Sequence, residues 1–327
     1  MLKFYHCLGS LGLWIFMSVC APAQALWEVP QEVNMSAWSS GPGAEETAPH
    51  PPFQFVKEKV SGTNPKVEVR DAAGQIWTVK FGSEVHSDTF AARLLNALGY
   101  AAEPTFFVPS GSISDVHDLR RAKHFISRDG SFRSASFKLH ERGGAPEVNN
   151  AAWSWVDNPF VGSRELGGLK VVVMLTSNWD TKDARDGEGS NNAIIHPRSV
   201  PDSSGWFAVT DWGASFGKSG GFFKRDRWDW VGYRVQTSSF VRLASNGKVD
   251  WGFKGKHGPD ITAGVGVDDI RWLLPYLSRI TDEDLEAGLA ASGASTPVAQ
   301  EFTRLIRERI VQLRRIAETS GAGQAVK

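Results

Sequence analysis

The chain has 327 residues, with 36 Lys plus Arg against 36 Asp plus Glu and a formal net charge of zero. No basic surplus points to nucleic acid or to an acidic lipid surface, and the length suits a two-lobed enzyme or two modest domains. Both cysteines, Cys7 and Cys20, fall within residues 1–25, so the rest of the chain carries no disulfide framework and no thiolate metal site.

Residues 1–25 hold Lys3, an apolar stretch over 8–19 and Ala23-Gln24-Ala25 before Leu26. This is the layout of a cleaved secretory signal with an A-x-A site, and its apolar core is too short for an ordinary membrane span. The mature protein is therefore expected to be soluble, periplasmic or extracellular, with no span of its own. Residues 26–52 read as an N-terminal extension and linker, Ser/Gly/Pro/Glu-rich over 39–52. The folded body is expected from Phe53. The thirteen Trp allow two accounts: sugar binding by ring stacking, or burial of large apolar bodies in a core.

Residues 53–82 alternate with period two: F-Q-F-V-K-E-K-V, a turn over 61–65, K-V-E-V-R-D, a turn over 72–74, then Q-I-W-T-V-K-F-G. This predicts a three-strand antiparallel meander, with Ser61 and Gly62 in its first turn and Lys80 on its last strand. Residues 87–98 have apolar positions at helical spacing (Phe90, Ala91, Leu94, Leu95, Leu98), Ser87 as N-cap and Gly99 as C-cap. Glu84 and Asp88 flank the start of that helix. Residues 103–108 read as a strand. Residues 110–150 read as an insert, with a helix over 114–122 and strand material over 131–139; His117, His124 and His140 there lack metal-ligand spacing.

Residues 163–175 predict a helix in which Gly167 and Gly168 each cost about 1 kcal/mol relative to Ala, tolerable if another backbone passes close. Val171-Val172-Val173 leaves a strand as the alternative. There follows N-W-D-T-K with Asp180 and Lys182, a Gly- and Asp-containing stretch, a short strand over 192–195, and a second strand over 206–210 that ends in Asp211-Trp212-Gly213. Acidic side chains and an Asn at the ends of adjacent buried segments suit a hard cation with phosphate oxygens, which points to phosphoryl transfer. Residues 218–233 read as a Gly-rich, basic mobile loop; G-K-S-G-G there does not meet the phosphate-loop pattern. Residues 248–264 read as a polar loop. Helices are expected over 267–277, 282–291 and 296–316, the last with the apolar stripe Phe302, Leu305, Ile306, Ile310 and Leu313 as core.

D-x-K followed by Asn, then a strand ending in D-W-G, resembles the catalytic loop and D-F-G segment of the protein-kinase-like fold. The likeness is to its atypical branch, which includes HipA-like kinases and lipid-kinase-like enzymes; T-D-E-D-L and the R-E-R-I helix are similar to the tail of HipA-like proteins. Residues 184–190 stand as an insertion relative to the usual spacing, which leaves Asn191 and Asn192 both open as the metal-binding Asn.

The resemblance implies an α+β, two-lobed fold: an antiparallel β-rich N-lobe over 53–109, a hinge and insert over 110–162, and a mainly helical C-lobe over 163–327. It implies ATP and Mg2+ as cofactors, with Asp180 orienting or deprotonating an acceptor and Lys182 offsetting charge. Asn191 or Asn192 with Asp211 would hold the metal. Lys80 would hold the nucleotide phosphates beside Asp88 or Glu84, and Ser61 and Gly62 would cover them. Nucleoside triphosphate is scarce outside the cytoplasm, so a nucleotide-binding pseudokinase, a nucleotidyl (AMP) transferase and a Trp-rich glycan-binding envelope protein stand as alternatives. The acceptor (protein, lipid, sugar or small molecule) and the oligomeric state have no signature in the sequence.

Overall fold

The structure is a computed structural model that describes residues 25–36, 48–60, 62, 64–139, 152–195, 205–219 and 225–322. The expected signal segment up to Gln24, most of the linker, Ser61 and His140 lie outside these residues.

Five strands close into a barrel in the order β1 (Phe53–Lys59), β2 (Lys66–Arg70), β3 (Ile76–Phe81), β5 (Ser131–Leu139), β4 (Thr105–Ser114). Neighbours are antiparallel except at the closure, where β1 meets β4 in parallel through Phe53–Ile113 and Gln54–Ser114. Side chains alternate across a pleated strand. One set, including Val67, Val69, Trp77, Val79, Phe81, Phe132 and Phe137, fills the barrel interior as its own apolar cluster. The other set on β1, β2, β3 and β5 is polar, with Lys59, Lys66, Thr78, Lys80, Ser136 and Lys138 along one cavity wall. The three-strand meander is thus as expected. Strand β5 is not an addition beside the sheet but its fourth member, between β3 and β4. The stretch expected as a helix over 114–122 is instead the end of β4, an irregular segment and a single 3-10 turn at Ala122–His124.

Helix α1 (Val85–Ala97) connects β3 to β4. It starts two residues before the expected cap. Glu84 occupies the N-cap position without a side-chain cap bond, and Ser87 spends its hydroxyl on Gly213 O (2.7 Å) and Glu84 O (3.2 Å). Its end is as expected: Gly99, at φ +85°, turns the chain in the left-handed region that favours glycine.

The second apolar cluster joins α1 to α2 (Arg164–Leu175), α3 (Trp230–Thr237), α5 (Val267–Leu277), α6 (Asp282–Ala291) and α7 (Thr296–Ala322). The run Val171-Val172-Val173 is helical and fully buried. Gly167 and Gly168 do admit close neighbours, but side chains rather than backbone: a Cβ on Gly168 would fall 2.6 Å from the Trp272 ring. All five stripe residues of α7 are buried. The two expected loops carry structure. Helix α3 begins inside 218–233, while β9 (Val249–Trp251) and α4 (Gly258–Thr262) lie within 248–264, with β9 paired to β8 (Val241–Leu243).

The described part of the N-terminal extension packs on the helical body instead of preceding it. Leu26 and Met35 are buried in the helical cluster, Trp27 Nε1 donates to Leu98 O at 2.7 Å, and Ala25 bridges to Trp206. Among the described residues every Trp is buried or half-buried, so these rings serve as packing bodies and none forms an exposed stacking platform.

Candidate active site

The two-stranded ribbon β6 (Asn192–Ile195) and β7 (Trp206–Val209) delivers the central motifs. Trp153 pins it from behind, with Nε1 donating to Ala193 O and Ala208 O at 3.2 and 3.1 Å. Beyond β7 the chain turns through Asp211-Trp212-Gly213 against the N-terminus of α1. There Asp88 links three elements. Its Oδ1 accepts from Trp212 N–H at 3.1 Å, and its Oδ2 accepts from Lys80 Nζ of β3 at 3.1 Å. Lys80 also reaches Glu84 Oε2 at 3.4 Å and Asp211 Oδ1 at 3.7 Å. Both acids expected near this lysine therefore contact it. Glu84 is held further by Arg227, and Gly213 is required beside it, since a Cβ there would stand 2.6 Å from the Glu84 carboxyl carbon.

Burial disfavours the charged form of each group here, but the cluster reverses this for the central pair. Against burial, Asp211, Asp88 and Glu84 raise the Lys80 pKa well above its ordinary value. Against burial, Lys80, the Gly213 N–H, Lys138 and Lys182 bring the Asp211 carboxyl down to about 2. Both are charged at neutral pH. Burial raises the Glu84 pKa, with Lys80 and Arg227 opposing.

Asp211 is not closed off. Its side chain is 40% exposed and faces a cavity of about 260 Å3 between the barrel and the ribbon. Lys59, Lys66, Lys80, Lys138, Asn191 and Asp211 line it. Asn191 and Asn192 separate here, because adjacent residues entering a strand face opposite ways. Asn191 is on the cavity. Its Nδ2 donates to Asp180 O, and its Oδ1 takes no hydrogen bond from a described residue. Asn192 turns toward Trp153, donating to its carbonyl at 3.3 Å.

Asp180 and Lys182 do not line the cavity; they pair with each other at 3.0 Å, and the Asp180 carbonyl accepts from Asn191 on the lining. The buried amide of Asn178 ties their loop to the Asp211 turn: Oδ1 accepts from Asp180 N–H and Nδ2 donates to Asp211 O, at 3.3 and 3.2 Å. The loop then folds back through a capping box between Asp183 and Asp186. Asp183 is fully buried and saturated by Arg185, Trp155 N–H and Ser154. His257 adds Asp186 at 2.7 Å. Asp183, Asp186 and His257 are close enough to bracket an ion, but these protein partners already satisfy Asp183, and the group serves as an anchor for the loop.

Two positions escaped the sequence. Lys138 of β5 reaches Glu103 (3.4 Å), Thr210 O (2.8 Å) and Asp88 (4.0 Å). Period-two alternation over 131–139 was the available signal, once β5 is placed beside β3. Arg309 of α7 is buried beneath α2, donating to Leu175 O, Ser177 Oγ, Thr237 Oγ1 and Tyr233 O at 2.8–3.1 Å; no local signal marks it.

No family model matches the chain, and a search of curated proteins finds no match. Among solved structures, a crystal structure of the Golgi casein kinase is similar over 84% of this chain and 73% of its own, at 12% identity and a TM-score of 0.41. At that score the likeness carries no argument, and the reading below stands on the residues.

Proposed function

We propose that the chain is an ATP- and Mg2+-dependent phosphotransferase of protein-kinase-like type. One observation carries this reading: Lys80 of the third strand is ion-paired to Asp88 of the following helix, and both adjoin the ionised Asp211 at the end of β7. A strand lysine fixed by a helix acid, next to a metal-binding acid, is the set that protein kinases require in place. Asp88 does this with a shorter side chain than the usual Glu, because α1 begins close enough to β3 for Asp88 Oδ2 to reach the ammonium.

The residues fit the groups. Asp211 and the Asn191 Oδ1 offer hard oxygen donors toward one cavity, as Mg2+ prefers, and the lysine-lined wall suits a phosphate chain. Bound there, Mg2+ would neutralise charge on the phosphates. Asn191 rather than Asn192 would hold it. Asp180 would accept the proton of an acceptor hydroxyl as that oxygen bonds to the γ-phosphorus and the bond to the β-phosphate bridging oxygen breaks, leaving ADP. Lys182 would offset charge at the transferred group. Gly62 stands at the turn above Lys66 and, with Ser61, would cover the phosphates.

Two finer statements rest on sequence layout. Placement in the HipA-like or lipid-kinase-like branch rests on D-T-K, D-W-G and the C-terminal helices. Export to a periplasm or the outside rests on residues 1–25. Incubation with ATP labelled at either the γ- or the α-phosphate tests the chemistry. Label transferred from the γ position only, and lost in Asp180→Asn, is the expected result. Transfer from the α position would replace phosphoryl by nucleotidyl transfer. Nucleotide binding without transfer of either label to protein, lipid, sugar or water would make the chain a pseudokinase.

A further inference from the structure

Three lysines stand in one cross-strand row on the cavity face of the barrel. Lys59 of β1 lies directly opposite Lys66 of β2, and Lys66 lies opposite Lys80 of β3. Like charges opposed in this way destabilise a sheet. The two outer members are neutralised, Lys59 by Glu68 at 3.2 Å and Lys80 by Asp88 at 3.1 Å. The middle one is not: Lys66 has no hydrogen bond or ion pair with any described residue, yet it lines the cavity and is only half-exposed. Burial, then Lys80 and Lys59, lower its pKa from the ordinary 10.5.

The turn above it comes close to that ammonium. Gly62 sits at φ +75°, and a Cβ there would stand 3.1 Å from Lys66 Nζ. A row of like charges, one of them without an ion pair among the described residues and partly desolvated, is a poor arrangement for a ligand-free sheet. It becomes favourable when an anion with several negative oxygens lies along it.

We propose that Lys66 is a phosphate anchor of this cavity, holding the chain of a triphosphate between itself, Lys80 and Lys138. The inference rests on the reading of the cavity as the phosphate-donor site, and it assigns to β2 a ligand contact beyond Lys80 and the turn. The neutral Thr78 and Ser136 lie on the same wall, and the acids Asp88, Glu103 and Asp211 share the lining, so the four lysines outnumber the acids and phosphate contacts, not apolar area, would supply the affinity.

Thermal unfolding of the full chain at low salt, with inorganic tripolyphosphate and separately with ATP and Mg2+, tests it on wild type, Lys66→Gln and Lys66→Arg. Loss of a charge-assisted contact weakens binding about tenfold or more. The expected result is a wild-type midpoint raised by both ligands. Without ligand, Lys66→Gln should unfold no lower than wild type, because the row has lost a like charge. Its affinity for both ligands should fall by about that factor, and Lys66→Arg should keep most of it. A ligand-free midpoint lowered in Lys66→Gln with affinity intact would make Lys66 structural and overturn the proposal. Equal binding of ATP and Mg2+ by wild type and Lys66→Gln would overturn the anchor and leave the donor site standing. If neither ligand shifts wild type, both fall. If tripolyphosphate binding depends on Lys66 while no ATP-dependent transfer occurs, the anchor stands and the transfer reading falls.

Discussion

Asn191 and Asn192 differ by one position and by everything around them. Both are buried and both have an unbonded amide oxygen, but the first lines the cavity with Asp211, whereas the second donates to the Trp153 carbonyl away from it. Asn191→Ala should therefore weaken the Mg2+-dependent part of ATP binding, beyond the roughly 1 kcal/mol that loss of its bond to Asp180 O costs in stability. Asn192→Ala should cost about 1–2 kcal/mol through a lost buried hydrogen bond and a small cavity and leave the Mg2+ dependence of binding in place. Denaturant unfolding and calorimetric titration of both variants separate the roles; matched effects on binding would remove the distinction. The types of the site residues were legible in the sequence because D-x-K and D-W-G each follow a short apolar segment and Asn-Asn opens another. Which Asn faces inward was not, since it depends on where the strand begins. Helical position favoured Asp88 over Glu84 as the partner of Lys80; because α1 starts two residues earlier than its Ser suggests, both acids meet it.

At the scale of elements, function depends on parts distant in sequence. Helix α2 ends under the Asp180 loop, and its last carbonyls are capped by Arg309, whose guanidinium also lies 3.6 Å from the Tyr233 ring centroid. Burial brings the Arg309 pKa down to about 10, so it remains charged at neutral pH. Arg309→Met should cost about 3 kcal/mol or more, since it orphans several buried acceptors at once, and should lower transfer activity by loosening the loop above. Chemical denaturation checks the first part; a loss below 1 kcal/mol would deny Arg309 this role.

The loop's second fixing point is Asp183. Burial alone would raise its pKa, but Arg185 and the Trp155 N–H bring it from the ordinary 3.8 to about 2. A carboxyl depressed in the folded state stabilises it above the unfolded pKa, and that contribution is lost as pH falls. Asp183 should thus add on the order of 2 kcal/mol at neutral pH, lost between about pH 4 and pH 2. Asp183→Asn should be less stable at pH 7 and show a shallower acid limb; an unchanged limb would place the acid sensitivity elsewhere. The short loop–strand–strand pattern here was readable from the sequence, whereas its anchors were not, because Arg309 and His257 come from outside the motif.

The molecule as a whole is a barrel with its own apolar interior set against a helical body, with the lysine wall and Asp211 between them. Alternation gave away the first three strands and 3.6-residue periodicity the C-terminal helices, since both are local. Closure of the barrel by β4 and β5, and the return of residues 25–36 onto the helical cluster, are long-range pairings that no local pattern encodes. Abundant Trp in a sequence suits packing and also admits a sugar surface; here each described ring is buried or half-buried.

On the proposed function, the cavity at Asp211 takes a metal-bound nucleoside triphosphate. The most direct measurement is isothermal titration of ATP into the protein with and without Mg2+, on wild type and Asp211→Asn. Saturable binding that strengthens with Mg2+ in wild type, and loses that dependence in a folded Asp211→Asn, is the predicted result. Binding that ignores both the metal and the substitution, or no binding at millimolar ATP, would contradict it.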